Sequence, residues 1–133
     1  MTGIVIVVHA PLGGAMHELA SHVLGDVVAD TLAVHDIQPE DQPEDQAPSV
    51  LQDIVRVDRG EGVLVLTDLI GATPANIAKR AVADAQAQGI RCCVLAGLNT
   101  PMLLRALTYR NLPLAETREK ALAGGVQGCL QVD

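Results

Sequence analysis

This sequence predicts an α/β fold, doubly wound around a mainly parallel sheet and flanked by helices, and three observations predict it. Apolar runs of strand length, at residues 4–8 and 63–66, consist only of Ile, Val and Leu, as suits strands covered on both faces. Segments between such runs place apolar residues at the i, i+3, i+4, i+7 spacing of one helical face. Strands that alternate with helices in this way must pair parallel, through right-handed crossovers. A chain of 133 residues can bury a substantial core without disulfide or metal, so residues 1–133 are expected to form one domain.

The first strand covers residues 3–8. The helix after it carries Met16, Leu19, Ala20, Val23 and Leu24 on one face, and Gly25 is placed to stop it. A second strand follows around residues 32–37. Residues 38–45, acidic and punctuated by Pro39 and Pro43, predict an exposed connector, and a helix is expected over 50–57, ending near Gly60. Residues 62–67 form the strongest strand after the first and open into Asp68-Leu69-Ile70-Gly71-Ala72-Thr73-Pro74. Thr73 and Pro74 have the chemistry of an N-cap and a first helical residue. Ile77, Ala78, Ala81, Val82 and Ala85 supply that helix's apolar face, and Gly89 its stop. A strand at 91–96 leads through Gly97-Leu98-Asn99 to a second Thr-Pro start, Thr100-Pro101. A last helix is expected over 115–123, stopped by Gly124-Gly125. Residues 128–132 are expected to make a short strand that pairs antiparallel at an edge or with another subunit.

Composition narrows the function. Tyr109 is the only aromatic residue, which argues against stacking on nucleic-acid bases. The net charge is −7, and nine acidic residues precede the first cation, Arg56, so no basic nucleic-acid or membrane surface is expected there. The amino-terminal stretch lacks the positive region of a signal peptide, and no apolar run approaches bilayer-spanning length. A cytoplasmic protein without membrane insertion is expected. Cys92, Cys93 and Cys129 form neither a Cys-x-x-Cys pair nor a ligand cluster, and are expected to pack in the core. No P-loop, dinucleotide, zinc-protease, hydrolase or calcium motif occurs, so neither a cofactor nor a metal is expected.

His9 stands directly after one buried strand and Asp68 directly after another. In open α/β folds ligands bind at the carboxyl ends of strands, where helix amino termini offer free N–H groups to anions. If the two strands are neighbours, about 4.8 Å apart, the side chains meet. A carboxylate on one imidazole nitrogen fixes the tautomer, leaves the other nitrogen its lone pair and stabilises charge growing on the ring. That chemistry suits a metal-free phosphohistidine. The Gly13-Gly14 turn and the turn Gly71-Ala72-Thr73 are candidates to aim N–H groups at the phosphate, with the Thr73 hydroxyl beside them. His17 and His22 fall on the polar side of the first helix and His35 within a strand; none is assigned a catalytic role.

Residues 4–12, 62–76 and 96–104 together resemble the enzyme IIA domains of the mannose class of the bacterial phosphoenolpyruvate-dependent sugar phosphotransferase system. The resemblance implies that His9 takes a phosphoryl group from the phosphocarrier HPr and passes it to a histidine of a separate enzyme IIB partner. It places the orienting aspartate on Asp68 and the phosphate-contacting hydroxyl on Thr73, with Gly71, Ala72 and Ala10 in the surrounding phosphate-binding loops. It also implies strand order 2-1-3-4 and a terminal antiparallel strand exchanged across a homodimer. The chain departs from the family with Val8 and Ala10 around the histidine, Ala72 in a common Gly-Gly pair, and Ile70 where some members carry aromatics. These positions bear on the partner surface and hence on the sugar. Two alternatives share the same chemistry: a regulatory module governed by the phosphorylation state of His9, acting on a regulatory target, and the phosphoryl-carrier subunit of a dihydroxyacetone kinase. A plain small-ligand binder is a third, distinguished by indifference to loss of His9.

Overall fold

Branched residues suit a pleated, buried surface, and Gly3–His9, with five consecutive buried residues, forms the central strand β1. In the computed structural model, which describes residues 1–133, α1 follows at Leu12–Leu24, the single turn α2 at Asp26–Ala29, and β2 at Ala33–Ile37. Then come α3 (Pro43–Val57), β3 (Val63–Thr67), α4 (Thr73–Ala87), β4 (Cys92–Leu95), α5 (Thr100–Thr108) and α6 (Leu114–Gln127). The strands form one all-parallel sheet in the order β2-β1-β3-β4. The chain therefore reverses its direction of winding between β1 and β3, where such folds open a crevice. Val5 lies opposite Val65 and Val7 opposite Thr67, so β1 and β3 finish side by side.

Alternation along the strands divides the core in two. Ile4, Ile6, Val8, Leu64 and Leu66 face Met16 of α1 and Met102, Leu103 and Leu107 of α5, with Ala121 of α6 behind them. Val5, Val7, Val63 and Val65 face Val50 and Ile54 of α3 and Ile77, Ala78 and Ala81 of α4.

Four local expectations need correction. The last three residues of the predicted connector are helical: α3 begins at Pro43, which has no N–H to lose in the first turn, and Glu44 and Asp45 favour the positive end of the dipole. Ala47, Val50 and Ile54 then fall on the buried side at i, i+3 and i+7. Secondly, α6 runs through Gly124-Gly125 to Gln127. Both glycines are buried, and a Cβ on Gly125 would lie 2.8 Å from Met102 Cε; their smallness lets α6 approach α5. Thirdly, residues 128–133 form no strand in the single chain; the sheet is four-stranded and wholly parallel. Finally, Cys129 lies on this tail and is exposed, whereas Cys92 is buried and Cys93 half-buried. Burial, aided by nearby Cys93 and Asp58, pushes the Cys92 thiol up to about 12, consistent with an inert core residue.

Candidate functional site

At the carboxyl end of β1 the chain emerges from the core and His9 becomes half-exposed. Its Nδ1 lies 2.8 Å from Asp68 Oδ2, and its backbone N–H donates to the same oxygen at 3.1 Å. The other carboxylate oxygen accepts the Leu69 backbone N–H at 2.9 Å. Burial by itself raises the pKa of Asp68, but the hydrogen bonds from the imidazole and backbone of His9, with its charge, together hold the carboxyl below its ordinary value. Asp68 is therefore ionised at neutral pH and can only accept. The proton between the two side chains belongs to Nδ1, and Nε2, which makes no hydrogen bond within the chain, keeps its lone pair when the ring is neutral.

The Leu69–Ala72 turn departs from this aspartate and leads into α4. Gly71 takes the left-handed conformation, φ +84°, which glycine adopts without a Cβ penalty. The amide of Ala72 closes the turn onto the Leu69 carbonyl at 3.3 Å. Gly71 and Thr73 N–H find no backbone acceptor. Thr73 is the first residue of α4 and caps nothing with its side chain, so its exposed hydroxyl and amide are both open to a ligand. In α5 the expected cap moves likewise: Asn99, not Thr100, accepts the Met102 N–H, at 3.0 Å.

Other expected contributors are engaged elsewhere. The Ala10 amide donates to the Ile37 carbonyl at 3.0 Å, extending the β1–β2 ladder, so Ala10 offers an anion no free N–H. The Gly13 and Gly14 amides donate at 2.6 and 2.9 Å to Asp36, a residue that sequence reasoning passed over. The signal was present: an acid one place from the carboxyl end of a strand, beside two strand ends already singled out. Leu69 and Ile70, both exposed, add an apolar rim to the loop.

The remaining histidines are apart from this site. His35 Nε2 lies 2.7 Å from Asp53 Oδ2, whose other oxygen takes Arg56 Nε at 3.0 Å; this is a strand-to-helix tie on the α3 side. His17 lies 3.6 Å from Asp30, and His22 is exposed. A cavity of about 500 Å³ opens among Thr2, Asp30, Arg56, Arg59 and Arg110, at the amino end of β1 and away from His9. No group of three or more His, Cys, Asp or Glu side chains is gathered as a metal would need, and no helix is long and apolar enough to cross a membrane.

A sequence model of the EIIA-man family, described as "PTS system fructose IIA component", matches residues 3–122. Among solved structures the chain is similar to a phosphotransferase system component EIIA from Streptococcus agalactiae, with 22% identity and a TM-score of 0.85 over 98% of this chain and 97% of that one. It is similar also to the mannose/sorbose specific IIA subunit of the phosphotransferase system from Enterococcus faecalis, with 20% identity and a TM-score of 0.85 over 99% and 95% of the two chains. A third, the PTS IIA protein associated with the fucose utilization operon of Streptococcus pneumoniae, shares 18% identity with a TM-score of 0.76 over 98% and 92%. At these identities the structural likeness speaks for the fold.

Proposed function

The chain belongs to the EIIA-man family, the mannose-type IIA phosphoryl carriers of the phosphotransferase system, and from that membership we propose that it carries the group on His9. In this reading phospho-HPr is the donor and a histidine of an enzyme IIB is the acceptor. One observation supports it above the others: ionised Asp68 engages Nδ1 at 2.8 Å and leaves the Nε2 lone pair available. That lone pair forms a bond to phosphorus while the phosphorus–nitrogen bond of the donor breaks, and its electron pair returns to the donor imidazole. Asp68 stabilises the positive charge that grows on the His9 ring. Onward transfer is the same exchange with His9 as the leaving group. The Thr73 hydroxyl and the Gly71 and Thr73 amides are assigned to the phosphoryl oxygens, since they lack acceptors and stand at a helix amino terminus. Ala72 contributes the turn that aligns them.

Residues 1–133 are read as one IIA domain, acting in the cytoplasm as a homodimer in which the tail after α6 pairs with a second copy. The exposure of Leu130 and Val132, two places apart as on one strand face, supports that pairing.

Incubation with phosphoenolpyruvate, enzyme I and HPr tests the reading by mass spectrometry. The wild-type chain is expected to gain one phosphoryl group, stable to base and labile to acid, and His9→Ala to gain none. A wild-type chain that gains nothing, or a His9→Ala variant still labelled, would falsify it.

A further inference from the structure

We infer that Asp36 is a positioning residue for the His9 loop, a fixed anion seated on the amino terminus of α1 that confines an incoming phosphoryl group to the α4 side. The inference rests on the reading of His9 as phosphoryl acceptor. In register Asp36 lies opposite Val8, one residue before His9. Its Oδ1 accepts the Gly13 N–H at 2.6 Å and its Oδ2 the Gly14 N–H at 2.9 Å. Those amides belong to the first turn of α1, where N–H groups have no intrahelical partner and the helix carries partial positive charge.

Nothing in α1 itself meets that need. Pro11, at the N-cap, makes no side-chain hydrogen bond, and the first turn holds no acidic residue. The carboxylate comes instead from the neighbouring strand, and the approach is close: a Cβ on Gly13 would stand 2.6 Å from Val34 Cγ1 and 2.7 Å from Asp36 Oδ1. Glycine is what permits the contact.

The two helix starts near His9 are thereby made unlike. α1, which begins three residues after His9, is neutralised by Asp36 of β2. α4 has no acidic residue in its first turn and leaves the Gly71 and Thr73 amides without acceptors. A phosphoryl group on His9 meets attraction from α4 and like charge from Asp36. It is held less tightly than two open helix termini would hold it, as suits a group that must be handed on.

The first test compares wild type and Asp36→Asn, each at equilibrium with the same phospho-HPr pool, by the ratio of phosphorylated to free chain. Removing the charge is expected to shift that ratio toward the phosphorylated form by about two- to fivefold, the size of one helix terminus acting on an adjacent anion. A folded variant whose ratio is unchanged, or moves toward HPr, overturns the inference; a merely structural role would not favour the phosphorylated form. The second test titrates inorganic phosphate into 15N-labelled protein. Gly13 and Gly14 amide signals are expected to stay fixed in wild type and to move in Asp36→Asn. Movement in wild type overturns the inference even if the variant does not fold. If phospho-HPr leaves the wild-type chain unlabelled, the acceptor reading of His9 falls, while this titration still decides the place of Asp36.

Discussion

The contact between His9 and Asp68 concentrates three donors on one carboxylate: the imidazole, the His9 backbone and the Leu69 amide. Asp68→Asn keeps the size of the side chain but lets its amide face Nδ1, favouring the wrong tautomer. Phosphoryl acceptance from phospho-HPr is expected to slow about 10²- to 10⁴-fold, the range for a lost orienting or acid–base partner, measured by rapid-quench kinetics. The same substitution changes the acid limb of stability. Because the folded-state pKa of Asp68 is lowered, its stabilising contribution is complete above the ordinary aspartate pKa of about 4. It is lost as pH falls through the lower folded value. The stability gap between wild type and Asp68→Asn, measured by urea unfolding, is therefore expected to be widest near neutral pH and to shrink under acid.

Small residues decide how the elements meet. Gly124 and Gly125 look like a helix stop in sequence, yet they sit in the middle of the α5–α6 contact, where Asn99 Nδ2 also donates to the Gly125 carbonyl at 2.9 Å. Val at 125 would place its Cβ 2.8 Å from Met102 Cε, which can turn aside, and 3.2 Å from Met102 Cβ, which is fixed to α5, so the Met102 side chain must repack and the helices give by a few tenths of an ångström. Overpacking of this kind costs about 1–3 kcal/mol, so Gly125→Val is expected to lower the midpoint of thermal unfolding. An unchanged midpoint would mean that α6 is free to shift. The acidic start of α3 behaves in a related way: Pro43, Glu44 and Asp45 suit a helix's first turn as well as they suit a loop, and the burial of Ala47 settles the matter.

At the scale of the whole molecule, the tail after α6 is the feature left over from folding one chain. Leu130 and Val132 are 67% and 93% exposed, and the residues around them form no strand within the single chain. We propose that a second copy supplies the pairing; sedimentation equilibrium is then expected to find a dimer, and removal of residues 128–133 to yield a monomer. A full-length monomer, or a truncated chain that stays dimeric, would remove the tail from that role.

The sheet was legible from sequence because parallel strands covered on both faces need unbroken apolar runs, and β1 and β3 are such runs. His9 and Asp68 were legible as candidates because each follows one of them directly. The family resemblance carried by residues 4–12, 62–76 and 96–104 is matched by the family model over residues 3–122. Which amides stay open to a ligand was decided only in three dimensions. Gly13 and Gly14 look as available as Gly71 until β2 brings Asp36 against them, and Ala10 looks free until Ile37 takes its N–H. Strand and helix patterns depend on neighbours along the chain, so they can be read from it. The partner of an individual N–H depends on which distant residue the sheet register sets beside it, and register exists only in the folded chain.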